Sequence, residues 1–99
     1  VPLNRDTIKR YRSIGHNLNP VVMISENGLS EGVLNELDRA LTDHELIKVK
    51  VAVADRDARK STIAQICKQS GAENIQEIGK VALLYRESNK KGIKTSNVR

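Results

Sequence analysis

The segment Leu46–Val53 constrains the fold more than any other stretch, because Ile47, Val49, Val51 and Val53 alternate with Lys48 and Lys50. A period of two belongs to a strand with one apolar face and one wetter face. The apolar face must be buried on other elements, and the flanking segments supply them. Between residues 30 and 44, Val33, Leu34, Leu37, Ala40 and Leu41 recur at three- and four-residue steps. Before Ser70, Ile63, Ile66 and Cys67 do the same. Both patterns predict helices with an inward stripe. Ser30 is placed to cap the first, Asp55 or Asp57 to cap the second, and Gly71 to close it.

Residues 5–18 predict another helix. Ile8, Tyr11, Ile14 and Leu18 form its apolar stripe, while Arg5, Lys9, Arg12 and His16 form a basic ridge. Asn19-Pro20 ends it, since a residue before proline is pushed out of helical geometry. Val21-Val22-Met23-Ile24 reads as a short buried strand, and Ser25-Glu26-Asn27-Gly28 as a tight loop in which Gly28 can take positive φ. Residues 73–78 and 80–86 read as two strands joined at Gly79-Lys80 in an antiparallel hairpin. From Glu87 onward periodicity is lost, which predicts a basic, disordered tail over 87–99 after one domain over 1–86. The order is α-β-α-β-α-β-β, an α/β chain of the two-layer α+β kind with helices packed on a sheet.

Charge is unevenly spread. Of the net +5, residues 1–19 carry +3, 20–45 carry −5, 46–71 carry +4, 72–86 balance, and 87–99 carry +3. A small domain with segregated basic segments suits a polyanion, because each phosphate neutralised releases condensed counterions. Tyr11 and Tyr85 are the only aromatic residues, which disfavours modules that read RNA on exposed rings. The single cysteine, Cys67, excludes an internal disulfide and fits a reducing compartment. No apolar run reaches the ~20 residues of a membrane helix, and the polar N-terminus carries no signal-peptide pattern. The expected location is the cytoplasm.

Convergent catalytic groups are not evident. His16 lies on a polar helical face and His44 at a helix C-terminus. One cysteine and two distant histidines do not make a zinc site. Asp55 and Asp57 suggest Mg²⁺-dependent nuclease chemistry only weakly, since helix capping accounts for them without a metal. Nucleotide-binding glycine patterns are missing. The expectation is a binding protein without cofactor or metal, not an enzyme. The Ile24–Val33 strand–loop–helix, by contrast, points free N–H groups and a positive dipole end outward, as a phosphate requires.

Gly15-His16-Asn17-Leu18-Asn19-Pro20-Val21-Val22, Asn27-Gly28-Leu29-Ser30-Glu31-Gly32-Val33, His44-Glu45-Leu46-Ile47-Lys48-Val49-Lys50, Asp55-Arg56, Ile78-Gly79-Lys80 and Leu84-Tyr85-Arg86 together resemble the YhbY-type CRM domain (chloroplast RNA splicing and ribosome maturation) over about residues 5–86. The resemblance implies a four-stranded mixed sheet like that in the C-terminal domain of the third translation initiation factor. It also implies RNA binding and, for bacterial members, association with precursors of the large ribosomal subunit. The family's GxxG loop falls on Ser25, Glu26, Asn27 and Gly28. Here Ser25 replaces the first glycine, and Glu26 should oppose a phosphate unless it turns away. The expected RNA contacts are therefore Lys9, Arg10, Arg12 and His16 of the first helix, the loop Ser25–Gly28, Lys48 and Lys50 of the strand, and Arg56, Arg59 and Lys60 of the third helix. The last three join the first helix if the two helices pack side by side. The rival expectation is a protein-interaction module in which the acidic second helix docks a basic ribosomal protein or assembly factor.

Overall fold

The computed structural model describes residues 3–89 and 94–98. Seven elements appear in the expected order: α1 (Arg5–Gly15), β1 (Pro20–Ile24), α2 (Glu31–His44), β2 (Leu46–Val51), α3 (Arg56–Ser70), β3 (Glu73–Ile78) and β4 (Val81–Tyr85). Each helix starts on a side-chain cap. Asn4 Oδ1 accepts from the Thr7 N–H at 2.8 Å, Ser30 Oγ from Val33 at 3.1 Å, and Asp55 Oδ2 from Ala58 at 2.8 Å. Every such bond satisfies a donor the helix cannot satisfy itself, for about 1 kcal/mol. Asp57 sits in the first turn of α3, where its charge complements the helix dipole. Gly71, at φ 76°, closes α3 with its N–H on the Cys67 carbonyl. α1 stops at Gly15, short of the predicted Leu18. Asn17 and Leu18 donate to Ile14 and Gly15, tightening the chain into a turn before Pro20.

The sheet runs β1-β2-β4-β3. β1 lies parallel to β2, and β4 runs antiparallel to both β2 and β3. On one face Val22, Ile24, Ile47, Val49, Val51, Ala82 and Leu84 meet Leu37 and Leu41 of α2 and Ile63 and Ile66 of α3. On the other, Leu46, Ile75 and Leu83 bury Tyr11 of α1, with Ile8, Ile14, Leu18 and Tyr85 around them. Helices thus flank the sheet on both sides, one layer more than the two-layer reading anticipates. The alternation in β2 marks Lys48 and Lys50 as a wet face, but Leu46 and the β4 residue Leu83 make one end of that face apolar, and α1 covers that end. A Cβ at Gly15 would lie 2.5 Å from Leu83 Cδ2, so only glycine lets the helix end come this close.

Two further expectations are corrected. β1 is an edge strand buried on one side: Val22 and Ile24 enter the core, whereas Val21 and Met23 are 53% and 63% exposed. α1 lies against β2 and β3, not β1, and so leaves Met23 uncovered, while Val21 sits at the sheet edge beside Ala40 and His44 of α2. Of the tail expected over 87–99, Ser88 and residues 95–98 are pinned rather than loose; residues 90–93 and 99 lie outside the described residues. Glu45, fully buried at the α2–β2 junction with φ 63°, draws them in. Its carboxylate accepts from the Ser88 N–H at 2.7 Å and from Ser96 Oγ at 2.8 Å. Asn97 Nδ2 donates to the Leu46 carbonyl at 2.7 Å, and Thr95 Oγ1 to that of Asp43 at 2.7 Å. A buried carboxylate must find donors, and a Ser/Thr/Asn-rich segment is rich in them.

Candidate nucleic-acid interface

The turn Ser25–Gly28 is closed by its own backbone. The Gly28 N–H donates to the Ser25 carbonyl at 3.1 Å, and the Asn27 N–H to Ser25 Oγ at 3.3 Å. Gly28 has φ 84°, and a Cβ there would meet only open space, so backbone conformation and not crowding selects glycine. Ser25 thus substitutes a side-chain acceptor for the missing glycine. The same bonds occupy the Asn27 and Gly28 N–H groups, which are the donors a phosphate clamp needs. Glu26 turns aside: its Oε1 accepts from the Ala54 N–H at 3.4 Å. This ties the loop to the β2–α3 connection and carries the negative charge toward the protein.

Beside that connection, Arg56, Arg59, Lys60, Glu77 and Gly79 line a shallow hollow where the start of α3 faces the β3–β4 hairpin. Arg56 and Lys60 are exposed. Arg59 is partly engaged by the carbonyls of Val53 and Ala54 at 2.9 and 3.4 Å, just before α3. The hairpin reaches β2 through the Val51 N–H on the Lys80 carbonyl at 2.7 Å. Lys50 is paired with Val81 across the ladder, and Lys48 with Leu83. Lys48 shares a groove with His16, at the C-terminus of α1. Farther along α1, Arg5, Lys9 and Arg12 ring another shallow hollow. Arg10 departs from this ridge and donates to the Val98 carbonyl at 3.0 Å.

The cations therefore form one band. It runs from the α1 ridge through His16, Lys48 and Lys50 to the hairpin tip, and on to Arg56 and Lys60 beside the Ser25–Gly28 loop. Among the described residues, none of these cations is paired with a carboxylate, the ion pair present being Arg86–Asp38 at 3.0 Å. α1 and α3 do not pack side by side as the sequence allows, since the sheet separates them. The hairpin end of the sheet joins the two groups instead. Nothing in the sequence marks Lys80 as a member of the band, because its position depends on β4, not β3, lying next to β2.

A model described as the CRS1 / YhbY (CRM) domain matches residues 3–86 of the chain. The chain belongs to this family. It is 51% identical over 96 residues to the Pseudomonas aeruginosa protein named "Probable RNA-binding protein PA4753", covering 97% of this chain and 92% of that one. A Haemophilus influenzae protein named "RNA-binding protein" is 51% identical over 77 residues, 78% of each chain. The solution structure of SAV1595 from Staphylococcus aureus superposes with a TM-score of 0.78 at 30% identity, covering 91% of this chain and 94% of that one. The mixed sheet and its three helices are thus the CRM arrangement.

Other reactive groups of this CRM domain are in structural use. Cys67 is half-buried, and burial, followed by the nearby Glu77 carboxylate, pushes its thiol above the ordinary range, away from a nucleophilic thiolate. His44 Nδ1 lies 2.9 Å from the Thr95 carbonyl. Asp55 is held as a cap. Among the described residues no three His, Cys, Asp or Glu side chains gather as metal ligands, and no helix is long and apolar enough to cross a membrane.

Proposed function

We propose that this CRM-domain protein is a cytoplasmic binder of structured RNA that acts on precursors of the large ribosomal subunit during assembly, without catalysing a reaction. The observation that carries the proposal is the band of Lys9, Arg12, His16, Lys48, Lys50, Arg56 and Lys60, exposed or half-exposed and unpaired with carboxylates among the described residues. Cations left free on a rigid scaffold are available to phosphates, at little cost in protein contacts. The names of the relatives point the same way. Arg10 and Arg59 are held on neighbouring backbone carbonyls at 3.0 and 2.9 Å and play lesser parts, whereas Arg12 reaches the Ile75 carbonyl only through Nε at 3.4 Å and keeps its terminal N–H groups for phosphate. At the Ser25–Gly28 loop the internally bonded Asn27 and Gly28 N–H groups shift weight from backbone clamping to the side chains around it.

Titration of a ribosomal RNA fragment at several salt concentrations tests the reading. About five phosphate contacts give a slope of log affinity against log salt near −4 on duplex-like RNA. A slope near zero rejects backbone recognition. Sedimentation of cell extracts tests the partner: association with large-subunit precursors should vanish on RNase treatment. If it persists, the acidic face of α2, with Glu36, Asp38 and Asp43, docks a protein instead.

A further inference from the structure

α1 covers only part of its side of the sheet. Beyond Gly15, the rows formed by Met23, Lys50, Val81 and Ile78 and by Pro20, Lys48, Leu83 and Gln76 cross all four strands in register. At the two ends of the first row, Ile78 is 64% exposed and Met23 63%, the large apolar side chains most open to solvent among the described residues. Isolated exposed apolar residues need no explanation, but a contiguous patch rimmed by polar groups marks a contact surface. Here the patch deepens into a groove of about 300 Å³, with a floor of Val81, Leu83 and Ile78 and walls that include His16, Lys48 and Gln76.

We infer that this groove seats a single unpaired nucleobase, an inference that rests on the RNA-binding reading above. Four features define the occupant. The aliphatic floor offers a flat apolar surface to one face of a planar ring. Gln76 supplies both a donor and acceptors from one amide, and His16 a ring nitrogen of either kind, which suits the mixed edge of a base. Lys48 and Lys50 leave the same strand face two residues and about 7 Å apart, so that they flank one nucleotide of an extended strand and meet its phosphates. The groove also lies within the cationic band, so a strand following that band crosses it. No carboxylate lines the groove. An acidic peptide satisfies the lysines but leaves the amide–imidazole pair without a matched partner. Sequence-tolerant backbone binding and recognition of one unstacked base then coexist: the band holds the helix, and the groove selects RNA with a bulge or loop beside it.

The test compares wild-type protein with Ile78→Thr/Gln76→Ala, which keeps a β-branched side chain at an exposed position and removes no charge. Each protein is titrated with a stem-loop RNA carrying an unpaired loop and with the same stem closed as a continuous duplex. The wild type should prefer the looped RNA by at least fivefold. The double variant should lose that preference while its duplex affinity, salt slope and melting temperature stay unchanged. 4-Thiouridine placed in the loop should crosslink to the peptides that contain His16 or Ile78. Equal affinity of both proteins for both RNAs overturns the base seat and leaves the phosphate band intact. Equal loss on both RNAs also overturns it, as the residues then make only general contacts. A wild type that dimerises in sedimentation while the variant stays monomeric assigns the groove to a second copy of the chain. Wild-type binding without salt dependence rejects the RNA reading itself, and the seat with it.

Discussion

Arg86 leaves the end of β4 and reaches acceptors on two helices: Nη1 donates to the Ser70 carbonyl at 2.9 Å and Asp38 Oδ1 at 3.0 Å, and Nη2 to the Asp38 carbonyl at 3.0 Å and Thr42 Oγ1 at 2.9 Å. Asp38 is 71% exposed, so the ionic part of this contact is weak. The carbonyls and the hydroxyl are the important partners: the Ser70 carbonyl closes α3, Thr42 lies in the last turn of α2, and the Asp38 carbonyl one turn before it, so one guanidinium ties the two helices to β4. Arg86→Ala should lower the unfolding free energy by about 2–3 kcal/mol, whereas Asp38→Ala should cost under about 1 kcal/mol, both read from urea denaturation. Tyr85 stacks at 4.8 Å from Tyr11. Its hydroxyl is pushed well above the usual phenol range, first by burial, then by the hydrogen bond with Tyr11 and by the nearby Glu45 and Glu87 carboxylates. The folded state therefore holds this proton after the unfolded chain has lost it. Stability from this source is complete below a pH of about 10 and declines above it. Cys67 acts in the same direction from a pH of about 9. Melting temperature should fall as pH rises above 9, and Tyr85→Phe should flatten the upper part of that fall.

At the scale of elements, Gly15 decides how closely α1 seats on the sheet. A larger side chain there must displace Leu83, which is only 3% exposed and has little room to move. Gly15→Val should destabilise by about 2–3 kcal/mol through overpacking, measured by thermal or chemical unfolding, with the largest loss of amide-exchange protection in α1. The same contact shows what a sequence can and cannot disclose. Helix stripes, the caps Ser30 and Asp55, Gly71 and the Gly79-Lys80 turn are legible, because each depends on neighbours within a few residues. The Ser25–Gly28 loop is legible as a motif for the same reason. The order β1-β2-β4-β3 is not, because the pairing of β2 with β4 rather than β3 arises from residues more than thirty positions apart. The side on which α1 packs follows from that order. The open faces of Met23 and Ile78 follow in turn, since an apolar run in an edge strand looks the same as one in a buried strand. Residues 95–98 were illegible for a different reason: their partners, the Glu45 carboxylate and the Asp43 and Leu46 carbonyls beside it, are distant groups with no periodic signature.

Over the whole molecule, two cationic clusters that seemed to need adjacent helices are instead on opposite sides of a sheet and meet around its hairpin end. This arrangement predicts a bound RNA that wraps an edge instead of lying on a plane. If the band works as one surface, Lys9→Gln/Arg12→Gln on α1 and Arg56→Gln/Lys60→Gln on α3 should each reduce the steepness of the salt dependence by about two, one unit for each phosphate contact removed. Neither pair should change the melting temperature much, since none of the four residues forms an ion pair among the described residues and the Arg12 Nε bond to the Ile75 carbonyl is long, at 3.4 Å. The losses in binding free energy should add, because the two pairs share no contacts and lie far apart. A short duplex cannot span both groups, so on a probe of a few base pairs only one pair of substitutions should matter, while on a longer fragment both should. If instead one pair leaves the slope unchanged on every length of RNA, recognition is confined to the opposite face of the sheet, and the hairpin end does not join the clusters functionally.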